Sequence, residues 1–259
     1  MPIQRERHTN WPVIQASGVK GAFRAHCRNA EQKLKNLESK DSVVSVFGSE
    51  SNEGNGKDTQ SSSVAFSDAK ILAFPVRSNI APFVWVTSPA ILKRFQTDLE
   101  FLGLPTADQI PVIQDSRAIP VQIQQEPELV LEDFVAPIDN QSHPLTFVTD
   151  RFKELSERFF IVSDQTFDHM VSNCTEIQTQ IKIDESTGTT SDGSLRYQEL
   201  LPSATVLYVV SYYSQTKQHS AQEVKNYLNQ SISGFIQIGG DETLGRGLCK
   251  LSWFDGGAQ

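Results

Sequence analysis

The chain has 259 residues, 38% of them hydrophobic, and a formal net charge of −8. That length suffices for one large domain with a sizeable core, and no apolar run approaches the ~18 residues of a membrane span. Cys27, Cys174 and Cys249 show neither a metal-ligand spacing nor the even count of a disulfide framework, and the start Met1-Pro2-Ile3-Gln4-Arg5-Glu6-Arg7 has no apolar leader segment, so a reducing cytoplasm is expected.

Net charge alone argues against a polyanion partner, but its distribution argues for one. Residues 1–35 hold seven Lys or Arg against two acids, and residues 100–139 hold eight acids against one Arg. A segregated pattern makes a basic face that the sum conceals.

Residues 1–16 read as irregular and basic, with an extended stretch at Trp11-Pro12-Val13-Ile14. Ser17-Gly18 announces a helix that buries Val19, Ala22, Phe23, His26, Cys27 and Ala30. Lys20, Arg24 and Arg28 fall on another stripe of it, at a helix start where free N–H groups favour an anion. Residues 48–63 are rich in Gly, Ser and Asn and predict a flexible loop. Ala69–Val76 and Phe83–Thr87 read as buried strands. Ser88-Pro89 then caps a helix whose inner face is Ile91, Leu92, Phe95, Leu99 and Leu102, ended by Gly103.

Residues 104–144 carry half of the twelve prolines and predict an irregular acidic insertion with short strands at Val121–Ile123 and Leu129–Leu131. Phe152, Leu155 and Phe159 predict a short helix. Phe167, Met170, Val171 and Cys174 predict another, capped by Ser163 or Asp164. Over 177–202, alternating Ile177, Thr179, Ile181 and Ile183, a polar tip and a second extended arm predict a projecting hairpin. Thr205–Tyr213 reads as one buried strand, and Ser220-x-x-Glu223 as a capping box before a helix with Val224, Tyr227 and Leu228 inside.

The chain closes on a strand at Phe235–Ile238, a turn with four glycines in nine residues, and a second short strand. Outward N–H groups in such a turn make an anion-binding concavity, with Arg246 beside it. A plain turn between two core strands is the alternative. The order helix, strand, strand, then strand, helix, strand fits a ferredoxin-like arrangement if a strand precedes the first helix, and residues 1–16 are a poor source for it.

Four phrases then stand in one order. They are Pro2-Ile3-Gln4-Arg5-Glu6-Arg7-His8-Thr9, Gly18-Val19-Lys20-Gly21-Ala22-Phe23-Arg24, Ala73-Phe74-Pro75-Val76-Arg77-Ser78 with Phe83–Pro89, and Gln237–Gly247. Together they resemble the RAMP superfamily of CRISPR proteins and, within it, the repeated backbone subunit of the Cmr (type III-B) effector complex. The resemblance implies a single α+β domain over 1–259 with a ferredoxin-like (RRM-like) core, irregular insertions and the 177–202 hairpin as a thumb. It implies copies stacked helically on a guide RNA beside other CRISPR effector subunits, in antiviral defence. Target RNA would be cut opposite each thumb with magnesium or manganese and an aspartate. By the same resemblance Arg5, Arg7, His8, Lys20, Arg24, Gly239, Gly240, Thr243, Gly245 and Arg246 bind RNA.

The family's first strand and its reactive aspartate lie upstream of the proline matching Pro2. The expectation is therefore a chain with no catalytic residue, metal ligand or cofactor of its own. A purely structural filament subunit is the alternative, followed by an enzyme that holds a phosphorylated small molecule on the glycine-rich loop. Electrostatic roles fall to Arg5, Arg7, His8 and Lys20. Tyr197, Trp11, Trp85 and Trp253 are expected to pack, while Asp184, Glu199, Asp241 and Glu242 are expected to serve solubility or loop structure.

Overall fold

The structure, a computed structural model, describes residues 1–33, 40–49, 60–106, 108–114, 116–216 and 219–255. Most of the loop expected over 48–63 lies outside the described residues. From the N-terminus the elements are β1 (Val13–Ile14), α1 (Ala16–Lys33), α2 (Lys40–Phe47), β2 (Val64–Phe66), β3 (Ala69–Val76) and β4 (Val84–Thr87). Next come α3 (Pro89–Phe101), β5 (Ala118–Pro120), β6 (Glu128–Leu131), β7 (Phe134–Pro137), α4 (Thr146–Thr149), β8 (Phe159–Val162) and α5 (Asp164–Asn173). The order ends with β9 (Glu176–Gln180), β10 (Arg196–Leu200), β11 (Val206–Tyr208), β12 (Ser211–Tyr213), α6 (Ala221–Ser231), β13 (Gly234–Gln237) and β14 (Leu248–Leu251). The described residues form two compact units, one of 1–13 and 70–208, the other of 14–69 and 209–255.

The first unit is a mixed sheet in the order β1-β3-β4-β8-β5, with β11 also paired to β3. β4 and β8 run parallel, and β3 and β5 flank them antiparallel. All four residues of β8 are buried. The sequence reading placed Phe159 at the end of a helix, and the structure corrects it to the first residue of this strand. A continuous apolar run, Phe159-Phe160-Ile161-Val162, has no period to read, and burial on both faces explains it. The expected helix shrinks to a single 3-10 turn, Lys153–Leu155.

The strand expected at Val121–Ile123 is also corrected. β5 lies three residues earlier, and the side chain of Ile123 is exposed. Leu129–Leu131 does form a strand, β6, hairpinned to β7. A strand does precede the first helix: β1 is two residues long and stands at the sheet edge, after Pro12 bridges back to Arg5. The single strand expected over Thr205–Tyr213 is two. Ser67 exchanges hydrogen bonds with Val210, its N–H donating to Val210 O and its hydroxyl accepting from Val210 N. That exchange falls where β2 passes to β3 and β11 passes to β12.

The helix starts follow local chemistry. Ser88 accepts from Ile91 N with Pro89 at the first helical position of α3, and Ser163, rather than Asp164, accepts from Thr166 N on α5. Inside, α3 buries Ile91, Leu92, Phe95 and Leu99. β9 and β10 pair antiparallel from Arg196↔Gln180 to Leu200↔Glu176, with a polar tip beyond. Ile177, Ile181, Ile183, Leu195 and Tyr197 are all exposed on this hairpin.

In the second unit α1 buries Val19, Phe23 and Cys27 and leaves Ala22, His26 and Ala30 half-buried. Phe23 packs on Phe66 and edge-on against Trp253, with centroids at 4.8 and 5.9 Å. α6 opens with the full capping box of Ser220 and Glu223 and buries Val224 and Leu228, while Tyr227 is half-buried. β2 pairs β12, and β13 pairs β14.

The fully buried Phe160 joins the first unit's core from the middle of its sheet. Phe160→Ala is expected to cost about 3–5 kcal/mol of stability, read as a lowered urea midpoint with an unchanged denaturant slope.

Candidate nucleic-acid interface

The RNA-binding residues expected from the sequence fall on both units. Arg5, Arg7 and His8 belong to the first; Lys20, Arg24, Gly239, Gly240, Thr243, Gly245 and Arg246 belong to the second.

Residues 5–12 make a tight loop closed by Glu6 N–H to Trp11 O and Asn10 N–H to Glu6 O, both 2.9 Å, with Asn10 at φ 62°. The Glu6 carboxylate accepts from Arg94 at 2.7 Å and from the Thr9 hydroxyl at 2.6 Å. The Trp11 indole N–H donates to Asp168 at 2.6 Å, and the Arg94 guanidinium lies 4.8 Å over the Trp11 ring. Arg5 donates to Glu199 at 2.6 Å, to Val171 O at 3.0 Å and to Asn10 O at 2.9 Å. Arg5 is thus a brace of the loop, and its side chain is only 15% exposed. Arg7 and the 81%-exposed His8 remain at the tip.

Glu199 is the anchor of that brace. It also accepts from Ile3 N–H at 3.1 Å and the Thr175 hydroxyl at 2.9 Å. Its N–H donates to Met1 O, and the Met1 amino group donates to Tyr197 O, so residues 1–3 run alongside β10. Burial works to raise the Glu199 carboxyl, but the bonds from Arg5, Ile3 and Thr175 and the Arg5 charge together hold it below the usual carboxylate range. Tyr197, expected to pack, is instead 59% exposed. Trp11 and Trp85 are buried, and half-buried Trp253 donates to Ile232 O. Asp184 organises the hairpin tip by accepting from Ser186 N–H and Thr187 N–H.

In the second unit Lys20 and Arg24 are half-buried one turn apart on α1. Burial, and then the Arg24 charge, push the Lys20 ammonium below its ordinary value. Gly21 sits beside them on an exposed turn of the helix, and a Cβ there would meet nothing within 4 Å. α1 packs on β13, the strand that enters the glycine-rich loop.

That loop is a 3-10 turn, Glu242–Leu244, between left-handed Asp241 and Gly245. Ile238 N–H donates to Gly247 O at 2.9 Å and Gln237 Nε2 to Arg246 O at 2.7 Å, closing its neck. Gly247, at φ 70°, must be glycine, because a Cβ would lie 2.1 Å from Ile238 O. Gly240 has ordinary φ and open space, and among the described residues the N–H groups of Gly239 and Gly240 make no hydrogen bond. Two unspent donors on an exposed turn are available to an anion. Thr243 and Gly245 are exposed on the same turn, and Arg246 is half-buried.

The RAMP superfamily matches residues 1–250 of this chain. The chain belongs to the RAMP superfamily. The CRISPR system Cmr endoribonuclease Cmr4 of Pyrococcus furiosus is 31% identical to it, over 97% of this chain and 86% of that protein. A crystal structure of oligomeric Cmr4 from Pyrococcus furiosus superposes with a TM-score of 0.71 at 28% identity, covering 96% of this chain and 89% of the other. A cryo-EM structure of the type III-B Cmr-beta complex in its apo state contains a chain of the same fold, with a TM-score of 0.73 at 18% identity, covering 97% and 87%.

Among the described residues, no group of three His, Cys, Asp or Glu side chains is placed to hold a metal ion. No described helix is long and apolar enough to cross a membrane.

The sequence did not reveal the Glu6–Arg94, Trp11–Asp168 and Arg5–Glu199 pairs, whose partners lie 88 to 194 residues apart. Glu199→Gln removes the charge that Arg5 is bound to and is expected to cost about 1–3 kcal/mol at pH 7. A depressed carboxyl contributes its stability above the unfolded value of about 4.3 and loses it as pH falls through the lower folded value. Urea unfolding should therefore show wild type and Glu199→Gln converging as the pH drops below 4.

Proposed function

We propose that this chain is a backbone subunit of a type III-B CRISPR effector, and that it grips a guide RNA by its phosphates. On this reading Lys20, Arg24 and the Gly239–Arg246 loop of the second unit hold successive phosphates. Arg7 and His8 add a contact on the first unit, and Arg5 positions them. The relative named an endoribonuclease, the oligomeric Cmr4 crystal structure and a related complex described as bound to cognate target RNA supply the biological frame. The ferredoxin-like core read over the whole chain and the thumb role of β9–β10 belong to the same proposal. So does head-to-tail stacking of copies beside other effector subunits.

The observation that carries the reading is Gly21. A glycine inside a helix costs about 0.5–1 kcal/mol relative to alanine, and nothing in the fold repays that here. Bare backbone between Lys20 and Arg24 is explained by a partner that comes close to it, and two adjacent cations call for an anionic one.

Gly21→Ala is therefore expected to leave the fold as stable or slightly more so, and to weaken binding of single-stranded RNA by roughly tenfold, about one good contact. Lys20→Ala and Arg246→Ala should each flatten the salt dependence by about 0.7 in log–log slope. Filter binding across a salt series reads all three, and unchanged affinity and slope in all of them would refute the grip.

On this reading the chain also presents a paired target RNA for metal-dependent cleavage. A labelled target paired to a bound guide, incubated with magnesium or manganese, tests that part. Cuts at regular intervals would support it, and an intact target would leave the chain a purely structural RNA-binding subunit.

A further inference from the structure

The phrase Phe74-Pro75-Val76-Arg77-Ser78 with Phe83-Val84-Trp85-Val86 has no place in the grip described above. Its register shows what it builds. Val76 stands opposite Val84, and Trp85 is paired with Phe159. Arg77, Phe83 and Arg158 therefore stand at one end of three neighbouring strands, spanning two strand spacings, about 10 Å.

Arg158 is the unusual member. Its guanidinium lies 4.7 Å from the Phe83 ring centroid and 5.2 Å from that of Trp85. The two rings meet at 87° with centroids 5.0 Å apart, so the guanidinium occupies the corner of an L. Trp85 is fixed in turn by its indole N–H bond to Ala204 O at 2.8 Å, and its backbone N–H donates to Arg158 O at 2.8 Å. Arg158 spends one N–H on a long contact to Phe83 O, 3.5 Å. Among the described residues no carboxylate lies within ion-pair distance of Arg158 or of Arg77.

A half-buried arginine normally takes a carboxylate. One held against two aromatic rings, with most of its N–H fork unspent, is preorganised for an external anion. Arg77 is exposed beside it, and Phe83 is half-buried with an edge to solvent. The acidic turn Glu132-Asp133 meets Arg77 through the main chain, Glu132 N–H donating to Arg77 O at 3.1 Å. The carboxylates of that turn act instead on Cys174, whose thiol is pushed up to about 11 by burial first and then by these charges.

We infer that Arg77, Phe83 and Arg158 form a second RNA-contact site on the first unit, in which the two guanidiniums hold phosphates and Phe83 carries a base. Cations alternating with an aromatic platform are how sequence-tolerant single-strand sites are made. The inference rests on the RNA-binding reading and adds to it a contact that the α1 and glycine-loop residues do not provide.

The test uses the full chain and an unstructured single-stranded RNA. Arg158→Ala and the exposed Arg77→Ala should each lower the salt slope by about 0.7. Arg158→Lys should restore the slope but not the full affinity, because an ammonium keeps the charge and loses the flat fork. Phe83→Leu should weaken binding of the RNA but not of an abasic strand of equal length. Urea midpoints are measured alongside, and Arg77→Ala, which removes no packed group, keeps the test valid if Arg158→Ala unfolds. Wild-type slope and affinity in Arg77→Ala and Arg158→Lys, with Arg246→Ala still impaired, would overturn this inference alone. Absence of salt-dependent RNA binding by wild type would overturn the proposed function itself. Loss of self-association in place of RNA affinity would reassign the site to a carboxylate of another copy and would also overturn it.

Discussion

The Glu199 carboxylate is the constraint on which the first unit's presentation surface depends. It gathers the Arg5 guanidinium, the Ile3 N–H and the Thr175 hydroxyl, and so joins residues 1–5, the segment after α5 and the base of the β9–β10 hairpin. A half-buried carboxylate is costly without partners and stabilising only with several. Here three donors outweigh the burial, and the carboxyl titrates below its usual range. With Arg5 fixed at one side of the 5–12 loop and Glu6 held by Arg94 at the other, the loop has little freedom left. On the proposed reading, rigidity of this kind would let Arg7 and His8 meet RNA without first being ordered, which lowers the entropic cost of binding.

The parts of the fold legible in the sequence were those with local rules. Ser88-Pro89, Ser163 and the Ser220–Glu223 box each satisfy N–H groups three residues away, and each marks a helix start in the structure. β8 has no such rule. Its four apolar residues are specified by strands on both sides, drawn from residues 84–87 and 118–120. The split of 205–213 into β11 and β12 depends on Ser67, more than 140 residues away. The same limit applies to the candidate site. Arg5 and Arg7 are equivalent in the phrase Gln4-Arg5-Glu6-Arg7-His8, and only the distant Glu199 distinguishes a brace from a contact.

Glycine separates structural from functional demand in a similar way. Gly247 is explained within the fold, since a side chain there would collide with Ile238 O. Gly21 and Gly240 are not explained within it, since each faces open space. A residue that breaks a local preference without a structural reason points to a partner outside the chain. Both such glycines belong to the second unit, one on α1 beside Lys20 and Arg24, the other in the loop that Arg246 closes.

Charge can be read by the same subtraction. Arg5, Arg94 and Arg117 are each bound to a carboxylate, and Lys70 is bound to Asp98, which also accepts from the Tyr208 hydroxyl. These cations are part of the folded architecture. Arg77 and Arg158 have no carboxylate among the described residues, although the chain carries eight more acids than bases. In a chain with that excess, acids are available to pair with any cation the fold is able to neutralise. An arginine left without one and held close to two aromatic rings is, on the proposed reading, a position where the fold has kept positive charge for something it does not itself contain. That is why the net charge of −8 and the proposed RNA-binding face are compatible: the surplus is acidic, but the uncommitted charge at the end of β3, β4 and β8 is basic.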